Sequence, residues 1–446
     1  MARHSNISPE VLLASLERLG LASRQQVAGA LRVSPATAWR HLAAAERRGQ
    51  VLSTGSGPGT RYAAVGPLLG REALREVPLY EVTERGHVQA AGRLFGLRGG
   101  RVLLAPEPRA PRWLLGETAH GLFDDLPFFL SDVRPQGFLG CQIAHALSEF
   151  PNNPTRWDSA QVLDYLLGHG VDLPGNLLVG EAAVDRFAAW SPIQLARADF
   201  PRVAEATLAG ELPGSSAGGE QPKFLAEVEG RQVLVKFSAA ADGAEAERWR
   251  DLLASEHVAL ETLRAHGMNA VETRLSDREG RLFLEVARFD RAGARGRLPA
   301  ISLDALDAEY VGEGRGWIPA LSGLARRRML APGVLEAGRL LETFGELIEN
   351  SDRHLGNLTL LPDGNGRFAL APVYDMLPMR HAPVRGEVPP TPAFTAPVQR
   401  VEAATWDRAV KMAGDFWHRA QAERRLSPRF RRIASSRVQA LSALMD

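Results

Sequence analysis

With 446 residues, 45% hydrophobic and 24% charged, the chain has the composition of a folded globular protein with room for roughly two to four domains. Its single cysteine, Cys141, excludes a disulfide framework and any zinc site built on several thiolates, and is expected as a buried small hydrophobe. The net charge of +1 excludes a uniformly basic or acidic protein, yet residues 1–70 hold eight Arg against three Glu. No apolar run approaches the ~18 residues of a membrane span and no leader-like stretch opens the chain, so no membrane association is expected and the cytoplasm is the expected compartment.

Residues 8–20 open on Ser-Pro and close on Gly, predicting a helix. Residues 23–32 predict a second helix capped by Ser23, and Ser34-Pro35 caps a third running to Gly49. Two short strands around a Gly-rich loop follow. Three helices and a hairpin predict a winged helix-turn-helix DNA-binding domain over 1–68. Ala36, Thr37, Arg40 and His41 would then face the major groove, with Arg47, Arg48 and the wing residue Arg61 on backbone phosphates. Val27, Ala30, Leu31, Val33, Trp39 and Leu42 are the expected core. The modest charge keeps a protein-contact use of this module open.

Gly66-Pro67 to Gly70 is expected to separate this module from the rest. Residues 78–105 alternate apolar segments with Gly turns, predicting a small antiparallel sheet, and 106–200 are mostly helical in pattern; 75–200 form the second unit. Over 201–300 a turn-rich loop, a hairpin around Glu229-Gly230, a helix ending at Gly267 and a second hairpin predict an antiparallel sheet with one helix against it. In 301–446, helices at 334–350 and 401–446 flank a motif region, and Pro383 to Pro397 reads as an irregular loop. The arginines at 424, 425, 429, 431 and 432 read as a solvated helix face, with a second DNA or partner contact as the alternative. The class is α+β.

The chemistry concentrates in Asp352-Arg-His-Leu-Gly-Asn357 and Val-Tyr-Asp375-Met. One carboxylate beside an attacking hydroxyl and two hard oxygen ligands for magnesium are what phosphoryl transfer needs. Turn-forming Asp and Asn are the alternative. Of 53 basic residues only Lys223, Lys236 and Lys411 are lysine. Lys236 lies in an apolar strand, Val-Leu-Val-Lys-Phe, where an ammonium is costly unless it meets an anion. Nucleotide phosphates and the helical Glu256 would supply one; an edge-strand lysine facing solvent is the alternative. The Ser215-Ser216-Ala217-Gly218-Gly219 stretch could bring backbone N–H groups to phosphates, or be a plain turn, and Lys223 could add a phosphate contact or be a surface charge. Asp290 reads as an ion-pair partner. His354 would orient the catalytic loop or sit as a satisfied core histidine.

The segments SSAGGEQPKF, VLVKF, SEH, RFDR, NSDRHLGN and VYDM, in this order, resemble the HipA family of bacterial serine/threonine kinase toxins, and the added N-terminal module resembles its YjjJ-type subgroup. The resemblance implies a two-lobed protein-kinase-like fold preceded by the winged helix-turn-helix, with a kinase N-lobe over 201–300 and a helical C-lobe over 301–446. It implies ATP and Mg²⁺ as cofactors and a protein Ser/Thr as acceptor. Asp352 would be the catalytic base, Asn357 and Asp375 the Mg²⁺ ligands, and Lys236 the α/β-phosphate contact. Backbone groups at Arg288-Phe289 would neighbour the adenine, and Ser215 or Ser216 would be the autophosphorylated serine. Glu285 lies two residues from the Ala287 that stands where the family has a carboxylate. Operator DNA and an antitoxin are the implied partners, and a homodimer stays open. A small-molecule phosphotransferase and a nucleotide-sensing transcription regulator are the rival functions.

Overall fold

The computed structural model describes residues 7–210, 221–240, 242–363 and 366–444. At the N-terminus, helices Pro9–Leu19, Arg24–Leu31 and Pro35–Arg47 pack with a three-stranded sheet ordered Ala22–Ser23, Arg61–Ala64, Val51–Thr54. Each helix starts on a serine whose hydroxyl accepts a backbone N–H three residues on, from Val11, Gln26 and Thr37. Ala38, Leu42 and Ala45 form the buried stripe of the third helix. Trp39 lies about 100° around the helix from Ala38 and is therefore 51% exposed, not in the core. Ala30 is also exposed, because Val27 and Ala28 take the inward face of its helix, while Leu31 and Val33 are partly buried.

Gly66–Gly70 is not a spacer. Gly66 N donates to Gly96 O and Arg98 N to Ala64 O, each at 2.9 Å, and Arg101 reaches Glu17 O. Ala63, Leu97 and Leu103 bury one another, with Leu21, Leu52 and Leu122 against them. A Cβ on Gly96 would lie 2.4 Å from Leu68 N, so the chain can cross here only over glycine. The module is thus joined to a five-stranded antiparallel sheet ordered Leu122–Phe123, Val102–Pro106, Val88–Gly96, Glu76–Val82, Leu177–Val179. Cys141 is half-buried rather than buried.

A second antiparallel sheet is ordered Thr273–Arg278, Arg281–Ala287, Arg231–Phe237, Lys223–Val228. Its two hairpins turn on Glu229-Gly230 and Glu279-Gly280, all four at positive φ, as two-residue hairpins of right-handed twist require. Phe200 and Val203 cover one face, packing on Phe224, Val235, Phe237 and Phe283. The helix Ala244–Ala265 covers the other. The C-terminal part holds helices Leu303–Tyr310, Trp317–Arg326, Val334–Leu347, Ala403–Ala422 and Pro428–Ser442, and a small sheet ordered Ile301–Ser302, Thr359–Pro362, Phe368–Leu370. One apolar core runs through the middle sheet, the Leu282–Leu284–Val286 face and these helices. No helix among the described residues is long and apolar enough to cross a membrane.

Candidate active site

Strand register sets Lys236 directly across from Lys223 on one neighbour and Leu284 on the other. Directly paired residues share a face of the sheet, and like charges so placed repel. Both ammonium groups therefore stand on the face covered by the helix that carries Glu256. Lys236 Nζ donates to both Glu256 carboxylate oxygens at 2.8 Å and to Asp375 Oδ1 at 2.6 Å. Burial would lower the Lys236 pKa, but Asp375 and Glu256 hold it above the ordinary value. Burial would raise Asp375, but Lys236 and then Lys223 hold its carboxyl below the usual range. Glu256 is pushed up by burial despite Lys236, with the Asp375 charge acting the same way.

Asp375 reaches the sheet because its hairpin is tied to it. Val373 N donates to Asn269 O at 2.8 Å and Val271 N to Val373 O at 2.9 Å, joining the segment before Asp375 to the one leaving the Glu256 helix. Asp375 then turns at φ 54, a left-handed conformation that Asp tolerates better than most residues. The Tyr374 hydroxyl bonds the Thr359 hydroxyl at 2.8 Å and Gly356 O at 3.0 Å, and its ring stacks on Phe289 at 5.7 Å.

Asp352 follows the helix Val334–Leu347 on a tightly bonded loop. Asp352 N donates to Asn350 Oδ1 at 3.0 Å, and Asn357 Nδ2 donates to Asp352 O at 2.8 Å. Burial, with Asp375 adding to it, pushes Asp352 above the ordinary carboxylate value, against His354, Asn357 and Lys236. A carboxylate so raised is a better proton acceptor near neutral pH. His354 is exposed, not a core histidine: its Nδ1 accepts from Gly356 N at 3.1 Å and its carbonyl accepts from Trp317 Nε1 at 2.8 Å, so it shapes the loop.

The Arg288 guanidinium is committed to Asp172 and Asp290, which also bind Arg291, and its backbone N donates to Gln232 O at 3.0 Å, so neither its side chain nor its N–H is available to a nucleotide. Asp290 is the ion-pair partner the sequence suggested. Glu285 pairs across from Val235, on the face away from Lys236, and bonds Arg197 through both oxygens. Ser215, Ser216, Ala217, Gly218 and Gly219 lie outside the described residues.

The donor set fits a hard cation. Asn357 spends its Nδ2 on Asp352 O, which leaves Oδ1 as its acceptor end, and Asp375 spends Oδ1 on Lys236. Among the described residues no three His, Cys, Asp or Glu side chains converge as a metal cluster. Magnesium in phosphoryl transfer takes one or two carboxylates with substrate phosphates rather than a protein cage, so a dedicated cluster is not required. An ammonium, two hard oxygens and a raised carboxylate together could bind a metal–triphosphate and accept a hydroxyl proton. On the N-terminal module, Arg40, Arg47 and Arg48 are exposed, Thr37, His41 and Arg61 half-exposed, and Thr37 accepts from Arg40 at 3.2 Å.

A family model for the middle domain of YjjJ-like toxins matches residues 73–188, and one for the HipA-like C-terminal domain matches 215–443. The chain is 34% identical over 420 residues to Toxin YjjJ of Escherichia coli K12, covering 91% of both proteins. A chain of the solved complex of HipA, HipB and operator DNA from the Shewanella oneidensis MR-1 toxin–antitoxin system aligns with TM-score 0.51 and 14% identity, over 82% of this chain and 96% of that one.

Proposed function

The chain belongs to the HipA-like toxin family, on its YjjJ-like branch, and from that premise we propose that it is an ATP-dependent serine/threonine protein kinase with its own DNA-binding module. The observation that carries the reading is the three-way contact of Lys236 with Glu256 and Asp375, beside Asp352. Lys236 and Lys223 bind the phosphates, and Glu256 fixes Lys236. Asn357 and Asp375 hold Mg²⁺, which when bound offsets the charge on the phosphate oxygens. Asp352 takes the proton of the acceptor hydroxyl as its oxygen bonds to the γ-phosphorus and ADP leaves. The Arg288-Phe289 backbone borders the adenine. Ser215 to Gly219 are the phosphate loop, with Ser215 or Ser216 as the autophosphorylated residue. Positioning and electrostatics supply the rate.

Residues 1–68 are the winged helix-turn-helix, with Thr37, Arg40 and His41 toward the major groove and Arg47, Arg48 and Arg61 on phosphates. Operator DNA is the expected target, which would let the chain repress its own operon; an antitoxin is a candidate partner, and the cytoplasm is the expected compartment. γ-labelled ATP added with cell lysate tests the reading. Labelled protein bands from the wild type, absent with Asp352→Ala, are expected. Label confined to small molecules would instead favour a small-molecule phosphotransferase, and no transfer at all would leave a nucleotide-sensing regulator.

A further inference from the structure

We propose that Glu349, His381 and Arg437 are positioning residues, a buried hub that sets the spacing between the Asp352 loop and the Asp375 segment. Glu349 stands three residues before Asp352, at φ 60, and is 6% exposed. Its Oε2 accepts from His381 Nε2 at 2.7 Å and from Arg437 Nε at 2.9 Å. His381, fully buried, lies six residues past Asp375, and its carbonyl accepts from Arg248 at 2.9 Å. Arg248 sits on the helix of Glu256. Arg437 comes from the last helix and also holds Pro392 O at 2.6 Å. The next residue, Asn350, spans the same gap, binding Asp352 N through Oδ1 and Met376 Sδ through Nδ2. The Asp352 loop and the Asp375 segment are thereby both referred to one buried carboxylate, while the Glu256 helix bonds to this hub only at the His381 main chain.

Packing alone does not call for this arrangement. Buried ion pairs are commonly no more stabilising than apolar residues of the same volume. This one leaves Glu349 Oε1 and His381 Nδ1 without hydrogen bonds, with Arg380 Nη1 3.8 Å from that oxygen. What a multi-armed network supplies, and apolar packing does not, is a fixed direction for each arm. A displacement of about 1 Å between reacting groups costs about 10²-fold in rate.

The inference rests on the kinase reading of Asp352 and Asp375, and its test is arranged to separate the two. Glu349→Gln and His381→Phe are compared with Leu321→Ala, a core change in the helix Trp317–Arg326, as the control for lost stability. Three quantities are measured: kcat and KM for ATP, Mn²⁺ affinity with a non-hydrolysable ATP analogue present, and metal-free binding of that analogue. The hub predicts kcat lower by about 10- to 100-fold and weaker Mn²⁺ binding, with metal-free nucleotide affinity unchanged because the Lys236–Glu256 grip is untouched. Folded hub variants that keep wild-type kcat and Mn²⁺ affinity overturn it, as does an equal loss in Leu321→Ala at matched melting temperature. If Glu349→Gln does not fold, His381→Phe, which keeps the Glu349–Arg437 pair, carries the same test. A wild type that transfers no phosphate while its Mn²⁺ affinity still depends on the hub would sink the kinase reading and leave the hub standing.

Discussion

Lys236 is held by opposing demands that a single side chain cannot meet. Its ammonium is buried, as is Glu256, and Asp375 completes the contact. Removing Lys236 alone leaves Glu256 as an uncompensated buried charge, whereas removing both leaves only Asp375, whose side chain is 32% exposed and can be hydrated. Lys236→Met is therefore expected to destabilise the fold by about 3–5 kcal/mol, and Lys236→Met/Glu256→Leu to recover much of that loss while staying inactive; urea unfolding and ATP labelling read the two effects apart. Equal stability of the single and double variants would contradict the paired burial. Asp352→Ala, half-exposed and bonded mainly through its backbone, is expected to fold normally and lose about 10²–10⁴-fold in rate. The lysines were legible in the sequence because arginine fills almost every other basic position. Glu349, His381 and Arg437 were not, because one glutamate, one histidine and one arginine, far apart in sequence, carry no spacing signal.

Two elements share one device. Asp132 accepts from Ser302 N at 2.8 Å and from its hydroxyl, and Ser302 caps the helix Leu303–Tyr310. Asp251 accepts from Ser427 N at 2.7 Å and its hydroxyl at 2.8 Å, and Ser427 caps Pro428–Ser442. Burial pushes both carboxyls up to about 6, against the lowering effect of these hydrogen bonds. A pKa raised in the folded state means tighter proton binding there, so the contribution is complete below the unfolded value of 3.8 and is lost as pH rises through about 6. Asp132→Asn should remove its share of that dependence, so that unfolding free energies measured from pH 4 to 7 fall less steeply than in the wild type; parallel curves would refute it. On the helix Pro35–Arg47 both Trp39 and Arg40 are exposed, and Arg40 lies on the face of Thr37 and His41. Arg40→Ala is expected to leave melting unchanged and, if the module binds its operator, to weaken binding in a gel-shift titration; unchanged binding would refute that role. Trp39 is outside the core because the inward positions of this helix are filled by Ala38, Leu42 and Ala45, so the largest apolar side chain does not mark the inward face.

At the scale of the whole molecule, the N-terminal module is docked rather than tethered. Its strand edge bonds the middle sheet, and Leu97, Leu103 and Leu122 need Ala63, Leu21 and Leu52 as cover. Deleting residues 1–68 should lower the melting temperature of the remainder and expose a dye-binding apolar surface; an unchanged melting curve would instead fit a free tether. The order of helices, hairpins and motifs could be read from sequence alone, because capping serines, Gly turns and apolar periodicity are local properties of the chain. The pairing of Lys236 with Glu256 was legible too, since an ammonium in an apolar strand needs an anion and the next helix offers that carboxylate. Only the tertiary structure decided that Arg288 is spent on Asp172, that Glu285 bonds Arg197, and that Gly66–Gly70 is a joint. Each of these depends on a partner between 30 and 116 residues distant, and sequence spacing holds no information about such a partner.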